Sequence, residues 1–180
     1  MITIQQLKGI CPTQTKARLS VFIQSLNEIL PEYEINTALR VQHFIAQAAH
    51  ETASFNYLTE LASGANYDVG AKAKALGNTP ENDGDGEFFK GRGIFQTTGK
   101  SNYRAVSLHL FNDERLLQHP ELLTIPENAV RSAAYYWQSH NLNELADKDD
   151  VVSITKRING GLNGLDDRKD YLLLAKKFIQ

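Results

Sequence analysis

The chain has 180 residues, 42% of them apolar and 22% charged, enough for one domain, or one domain with a small lobe, around a real hydrophobic core. A formal charge of −2 offers no basic footprint for nucleic acid, and a single cysteine excludes a disulfide framework or a cysteine-rich zinc site. The N-terminal MITIQQLKGICPTQTK lacks the basic-then-apolar order of a secretory signal, and no apolar run approaches the ~18 residues needed to span a bilayer.

Helical periodicity dominates the chain. A first helix is expected from Thr13 to Leu30, with Ala17, Val21, Phe22, Leu26 and Ile29 as its apolar stripe and Pro31 closing it. A second should start at Asn36 or Thr37, either a good N-cap, and carry Val41, Phe44, Ile45 and Ala48 at helical spacing. Between residues 62 and 100 the pattern breaks down: 8 of the 12 glycines lie there, and only Phe88–Phe89 and Ile94–Phe95 suggest short strands. A long glycine-rich segment inside a helical protein points to a functional loop. Pro126 at a first-turn position opens a third helix, Ser153 to Ile158 forms a short fourth, and Asp166 or Asp167 caps a last one through Leu172, Leu173, Ala175 and Phe178. Charge is uneven, with four acids and no base between Asn78 and Glu87.

On a wheel of about 100° per residue, with Phe44 at zero, Glu51 falls near −20°, beside Thr37 and Ala48 at the border of the buried stripe. Burial disfavours the charged form of a carboxyl group, the setting for a general acid. A boundary glutamate paired with an arginine such as Arg92 or Arg168 fits the wheel equally well. His50-Glu51 is not a zinc-protease motif, because Ser54 stands where the second histidine is required. NDGDG fails as a calcium loop, since Arg92 or Lys90 occupies the twelfth position. GRGIFQ has two of the three glycines of a dinucleotide loop but Gln96 at the third, and no P-loop or nucleophile elbow occurs. His43, His109, His119 and His140 show no ligand spacing and read as ordinary core or surface residues; Cys11 is a nucleophile only with a distant histidine.

Three segments in order, AQAAHETASF, GEFFKGRGIFQTTGKSNY and ITKRINGGLNGLDDR, resemble glycoside hydrolase family 19, the chitinase-like lysozymes, and most closely their short phage-endolysin branch. The similarity runs from about Phe44 to about Arg168, and the GRGxxQxTGxxNY block is its most specific part. The resemblance implies a mainly α, lysozyme-like fold in a single catalytic domain over residues 1–180, with a glycine-rich loop and short β region flanking a cleft. It further implies inverting hydrolysis of β-1,4 links in N-acetylated aminosugar polymers. Residue by residue, Glu51 matches the general acid and Glu60 the base that activates water. Gln96, Thr98, Asn102 and Tyr103 match positions that bind sugar or hold the water, while Asn159 matches a substrate-contacting asparagine and Arg168 an arginine that orients the carboxylates.

Inversion places the two carboxyl groups about 6.5–9.5 Å apart. A continuous helix from Glu51 to Glu60 would add about 13.5 Å of rise and set them on opposite faces. The helix is therefore expected to end near Ser54 to Tyr57. Two departures from the family pattern stand out: Thr-Ala-Ser follows HE where Ser-Gly-Gly or similar is usual, and ELASGANY carries an apparent insertion. Glu87, four residues before Gly91, is thus a rival base. The resulting expectation is a monomeric peptidoglycan glycosidase without metal or cofactor, binding neither nucleic acid nor inserting in membranes. It would be made in the cytoplasm and reach the wall by holin-type release or dedicated export. Chitin hydrolysis, a sugar-binding module and a Cys11-dependent amidase are the alternatives.

Overall fold

The computed structural model describes residues 1–180, and its chain divides into two units: Met1–Asn56 with Ala133–Gln180, and Tyr57–Ser132. No helix is long and apolar enough to cross a membrane. The first unit opens with α1 (Ile4–Ile10), which the apolar periodicity did not reveal because seven residues bury only Leu7 and Ile10. Its signal is a capping box: the Thr3 side chain accepts from the Gln6 backbone N–H while Gln6 Oε1 accepts from Thr3 N at 2.8 Å. Helix α2 (Lys16–Glu32) starts later than expected, because Thr15 rather than Thr13 supplies the cap, and it runs through Pro31 to Glu32. Thr37 caps α3 (Ala38–Glu51), as expected, by accepting from Arg40 N.

Helix α3 is the axis of this unit. Every residue from Gln42 to Ala49 is buried, so the helix is covered on all sides rather than along one stripe. Phe44 meets Trp137 edge-on at 5.4 Å, and the indole N–H donates to Asn143 Oδ1 at 2.8 Å. Phe22, Phe44 and Trp137 are fully buried, each contributing about 1.5–3 kcal/mol or more by leaving water.

Helix α7 (Pro126–Ser139) has proline at its first position, as read from the sequence; it begins in the second unit's segment and ends in the first's. Helix α8 (Leu142–Ala146), unforeseen, comes after Asn141 in the left-handed region. Helix α9 (Val151–Asn159) begins two residues before the expected Ser153, on an Asp150 cap. Helix α10 (Leu165–Phe178) is capped by left-handed Gly164, and Asp166 and Asp167 lie in its first turn rather than at the cap.

The second unit holds α4 (Gly70–Leu76), α5 (Asp85–Phe88) and α6 (Lys100–Phe111), with 3-10 turns at Ala65–Tyr67, Arg115–Leu117 and Pro120–Thr124. The expected strands do not form. Phe88 closes α5, Ile94–Phe95 lie in a turn, and pairing is limited to the isolated antiparallel bridges Thr59↔Arg92 and Arg92↔Thr97. Phe88 and Phe89 contact each other edge-to-face at 4.9 Å, so their adjacency reflects one local cluster rather than a strand with alternating faces. The mainly α architecture stands, with the short β region reduced to these bridges.

Candidate active site

Glu51 is the last residue of α3. The helix stops there, sooner than the expected Ser54–Tyr57, and the chain leaves it through a rare backbone path: Ala53, Ser54 and Phe55 have φ of 47°, 64° and 63°. Left-handed backbone costs an L-residue roughly 1–2 kcal/mol, so three in succession need strong anchoring. The anchors are visible. Thr52 Oγ1 donates to Ala48 O at 2.6 Å and accepts from Phe55 N at 2.7 Å. Arg18 Nε donates to Phe55 O at 2.8 Å, Ser54 Oγ bonds the Tyr171 hydroxyl at 2.7 Å, and the Phe55 ring is fully buried 5.1 Å from Phe22. The helix thus does not continue toward Leu61, the condition on which a role for Glu60 depends.

The Glu51 carboxylate accepts from Arg168 Nη2, and Arg168 Nη1 donates to Gln47 Oε1 one helical turn earlier. The pairing of Glu51 with Arg168 that the helical wheel allowed is thus present, and Arg168, fully buried, offers no surface to a ligand. Next to Glu51, His50 Nδ1 lies 2.6 Å from Asp167 Oδ2. Gly164 makes this possible: at φ 71°, a Cβ there would fall 2.2 Å from the His50 ring. Tyr136 senses Glu51: burial first, and then the Glu51 charge, push its phenol up, while its hydroxyl donates to Arg157 O at 2.8 Å. Asn159 ends α9 and is exposed, with Gly160 in the left-handed cap position.

In the second unit Glu60 lies in the segment bridged to residues 91–93. Its backbone N–H donates to Gly91 O at 2.8 Å, while Gly91 N donates back to Glu60 Oε2 at 3.1 Å. The other carboxylate oxygen accepts from the Tyr67 hydroxyl at 2.9 Å. Burial, and next this bond to Glu60, push the Tyr67 phenol up, so it remains a donor at neutral pH. Lys72 Nζ sits 4.3 Å from the centre of the Tyr67 ring. Tyr67 carries no motif that would single it out; only its place seven residues after Glu60 in ELASGANY hints at a role.

Gly91 is where the loop residues converge. A Cβ there would lie 2.5 Å from Gln96 Oε1, 3.2 Å from Thr98 Oγ1 and 3.3 Å from Glu60 Oε2. The missing side chain lets three polar oxygens crowd one small volume. Gln96, at φ 51°, is fixed by Nε2 donating to Gly93 O at 3.0 Å; Thr98 Oγ1 donates to Gln96 O at 2.9 Å. Asn102 Nδ2 donates to Thr98 O at 2.8 Å, steadying the turn. Tyr103 is placed differently from a sugar contact: it is fully buried, its hydroxyl donating to Lys90 O at 2.7 Å and accepting from Arg92 Nη1 at 3.0 Å. Its phenol is pushed up to about 12, chiefly by burial. Glu87 is exposed on four-residue α5. The acidic stretch around it folds onto Asp68, whose carboxylate accepts from Gly86 N at 2.9 Å and Gly84 N at 3.2 Å.

Over 96 residues, 53% of its length, the chain is 41% identical to a Haemophilus influenzae protein described as a glycosyl hydrolase family 19 domain-containing protein. The match takes in 45% of that protein, so the chain spans about half the length of the curated relative it matches. No protein-family model matches. Among solved structures, chitinase C from Streptomyces griseus superposes with a TM-score of 0.74 at 17% identity, covering 99% of this chain and 76% of that one. A class IV family 19 chitinase from Zea mays gives 0.66 at 17% identity over 99% and 92%. A bacterial family 19 chitinase gives 0.64 at 17% identity over 97% and 94%. These likenesses establish the fold, and the 96-residue match bears out the resemblance to glycoside hydrolase family 19.

Proposed function

We propose that this chain, similar to glycoside hydrolase family 19 in both sequence and fold, is a glycosidase that hydrolyses β-1,4 links of N-acetylated aminosugar polymers with inversion. Glu51 enters the step as a carboxylic acid, Oε1 still accepting from Arg168, and gives its proton to the glycosidic oxygen of the leaving sugar. Glu60 takes a proton from the attacking water, which adds to the anomeric carbon as the bond to the leaving oxygen breaks. The observation that carries this reading is the convergence of Glu60 Oε2, Thr98 Oγ1 and Gln96 Oε1 on Gly91. The absence of a side chain at Gly91 lets the Glu60 carboxylate sit beside the Thr98 and Gln96 oxygens, so a water approaching Glu60 meets further acceptors next to the base. Two hydrogen bonds, from the Tyr67 hydroxyl and from Gly91 N, hold the Glu60 carboxylate in place. Exposed Glu87 has no comparable setting.

The substrate we favour is the glycan of bacterial peptidoglycan, on the endolysin-like character of the HE, GRG and INGG blocks. Asn102 and Asn159 are the proposed contacts to acetamido and hydroxyl groups, with the enzyme acting as a monomer on the wall after release or export. Chitin is the second reading, favoured by the chitinases among the similar structures. A thiol-dependent amidase is disfavoured because Cys11 is fully buried and its thiol is pushed up to about 11, mainly by burial. Parallel digestion of purified sacculi and chitin oligomers, read by mass spectrometry, tests the substrate: muropeptide fragments from sacculi support peptidoglycan, and cleavage of chitin alone overturns it. Glu51→Gln should release no new reducing ends from either, and retained cleavage would remove Glu51 from catalysis.

A further inference from the structure

Helix α3 carries a polar line of which the proposed reaction uses only the last member. His43, Gln47 and Glu51 succeed one another at four-residue spacing, so their side chains lie along one side of the helix. His43 and Gln47 are completely buried, and so is Arg168, which reaches α3 from α10. Each has one polar atom with no protein partner: His43 Nδ1, Gln47 Nε2 and Arg168 Nε. Buried polar groups are rarely left so, and three on adjacent turns of one helix and on the arginine bonded to it call for a common explanation.

The hydrogen bonds around these atoms fix what each can do. His43 Nε2 lies 2.8 Å from Asp149 Oδ1, and a carboxylate only accepts, so Nε2 carries the proton. Burial favours the neutral imidazole and outweighs the pull of Asp149 and Asp150, with Lys176 adding to burial's effect. The remaining Nδ1 is then an acceptor. Gln47 Oε1 accepts from Arg168, which orients the amide so that Nε2 is the free donor, and Arg168 Nε is a second free donor. Two donors and one acceptor match one water molecule, which accepts twice and donates once. A direct bond from Gln47 to His43 would leave Arg168 Nε alone.

We propose that His43 Nδ1, Gln47 Nε2 and Arg168 Nε bound one internal water, and that through it His43 is a positioning residue for Glu51. Asp149 fixes the imidazole, the imidazole fixes the water, and the water holds Gln47 and the guanidinium whose other arm grips the Glu51 carboxylate. This rests on Glu51 being the proposed acid. It also gives a purpose to a histidine that the sequence presents as ordinary core.

Nitrogen-15 NMR of the ring and steady-state kinetics on the full chain test the proposal separately. In the native protein the His43 resonances should report a protonated Nε2 and a bare Nδ1; a protonated Nδ1 overturns the water site. His43→Leu, similar in volume, should lower kcat about tenfold through misplacement of Glu51 with KM unchanged, and His43→Gln, which returns an acceptor oxygen, should restore most of it. A folded His43→Leu protein with native kcat, or a His43→Gln protein no better than His43→Leu, overturns the positioning role. If His43→Leu does not fold, the tautomer measured in the native chain still decides. Cleavage by Glu51→Gln would instead overturn the assignment of the acid, leaving the NMR result to judge the water site on its own.

Discussion

Glu51 and Glu60 stand nine residues apart in sequence and are held in opposite ways. Glu51 ends a helix buried on all sides, and its carboxylate is gripped by a guanidinium from a residue 117 positions away. Glu60 sits in a glycine-rich region and is held by a backbone N–H from Gly91 and a phenol seven residues on. The contrast comes from backbone accounting. Inside a helix the N–H and C=O groups bond each other, so a polar side chain there must recruit other side chains. In a loop with few ladder bonds, main-chain N–H groups remain available, and a glycine brings one close to a carboxylate. The helical carboxylate is thus ordered by tertiary packing and the loop carboxylate by local turns.

The largest expected effect breaks the first arrangement. Arg168→Ala leaves Gln47 and Glu51 without their shared partner deep in the core and should destabilise the protein by about 3 kcal/mol in urea unfolding. Arg168→Lys should not rescue it, because one ammonium cannot fork across both acceptors. A loss below about 1 kcal/mol would mean that the guanidinium does not order this helix end.

Acid comes next. Burial, opposed by Asp149, lowers the folded pKa of His43 below its ordinary 6.5. Partial burial pushes Asp149 up, but Lys176 and His43 outweigh it and hold the carboxyl below the usual carboxylate range. A depressed pKa means that the unfolded chain binds more protons, so the stabilisation is complete above the unfolded pKa and falls away as pH drops through the folded one. Stability should therefore decline from about pH 6.5 downward through the His43 contribution, then further below about pH 4 through Asp149. His43→Leu should flatten the upper part of that decline in melts between about pH 7 and 4.5; an unchanged slope would contradict it.

Tyr67→Phe tests the second arrangement. Removing one hydroxyl should cost about 1 kcal/mol of stability and lower kcat more than KM changes, since Glu60 loses the phenol that donates to its Oε1. Equal kcat in the variant would show that Gly91 alone suffices. The smallest change has the opposite sign. Ala53→Gly relieves a left-handed alanine at φ 47° and should raise stability by roughly 0.5–1 kcal/mol, read from the denaturation midpoint.

Much of this was legible from the residues. Thr37, Pro126 and the apolar spacing located α3 and α7, and the HE, GRG and INGG blocks together pointed to the carboxylates. What escaped the sequence depends on short elements and distant partners. Helices α1 and α8 are too short for periodicity to register, and α6 buries only Tyr103, Val106 and Ser107, a weak stripe. Phe88–Phe89 and Ile94–Phe95 resembled strands because adjacent apolar residues look alike in a turn and a ladder. Tyr67 reaches Glu60 only because left-handed Gly64 starts a 3-10 turn, a geometry that composition does not encode. Thr-Ala-Ser after Glu51 looked like a departure from a glycine pattern, and in the fold it opens a run of three strained residues held by Thr52, Arg18 and Tyr171.

The central claim is that two separately held carboxyl groups act on one glycosidic bond with inversion. Proton NMR of the first seconds of cleavage of a β-1,4-linked N-acetylglucosamine oligomer or of solubilised glycan strands tests it most directly. The α-anomer should appear first and relax to the equilibrium mixture, with neither signal arising from Glu51→Gln or Glu60→Gln. A β-anomer formed first would contradict the account.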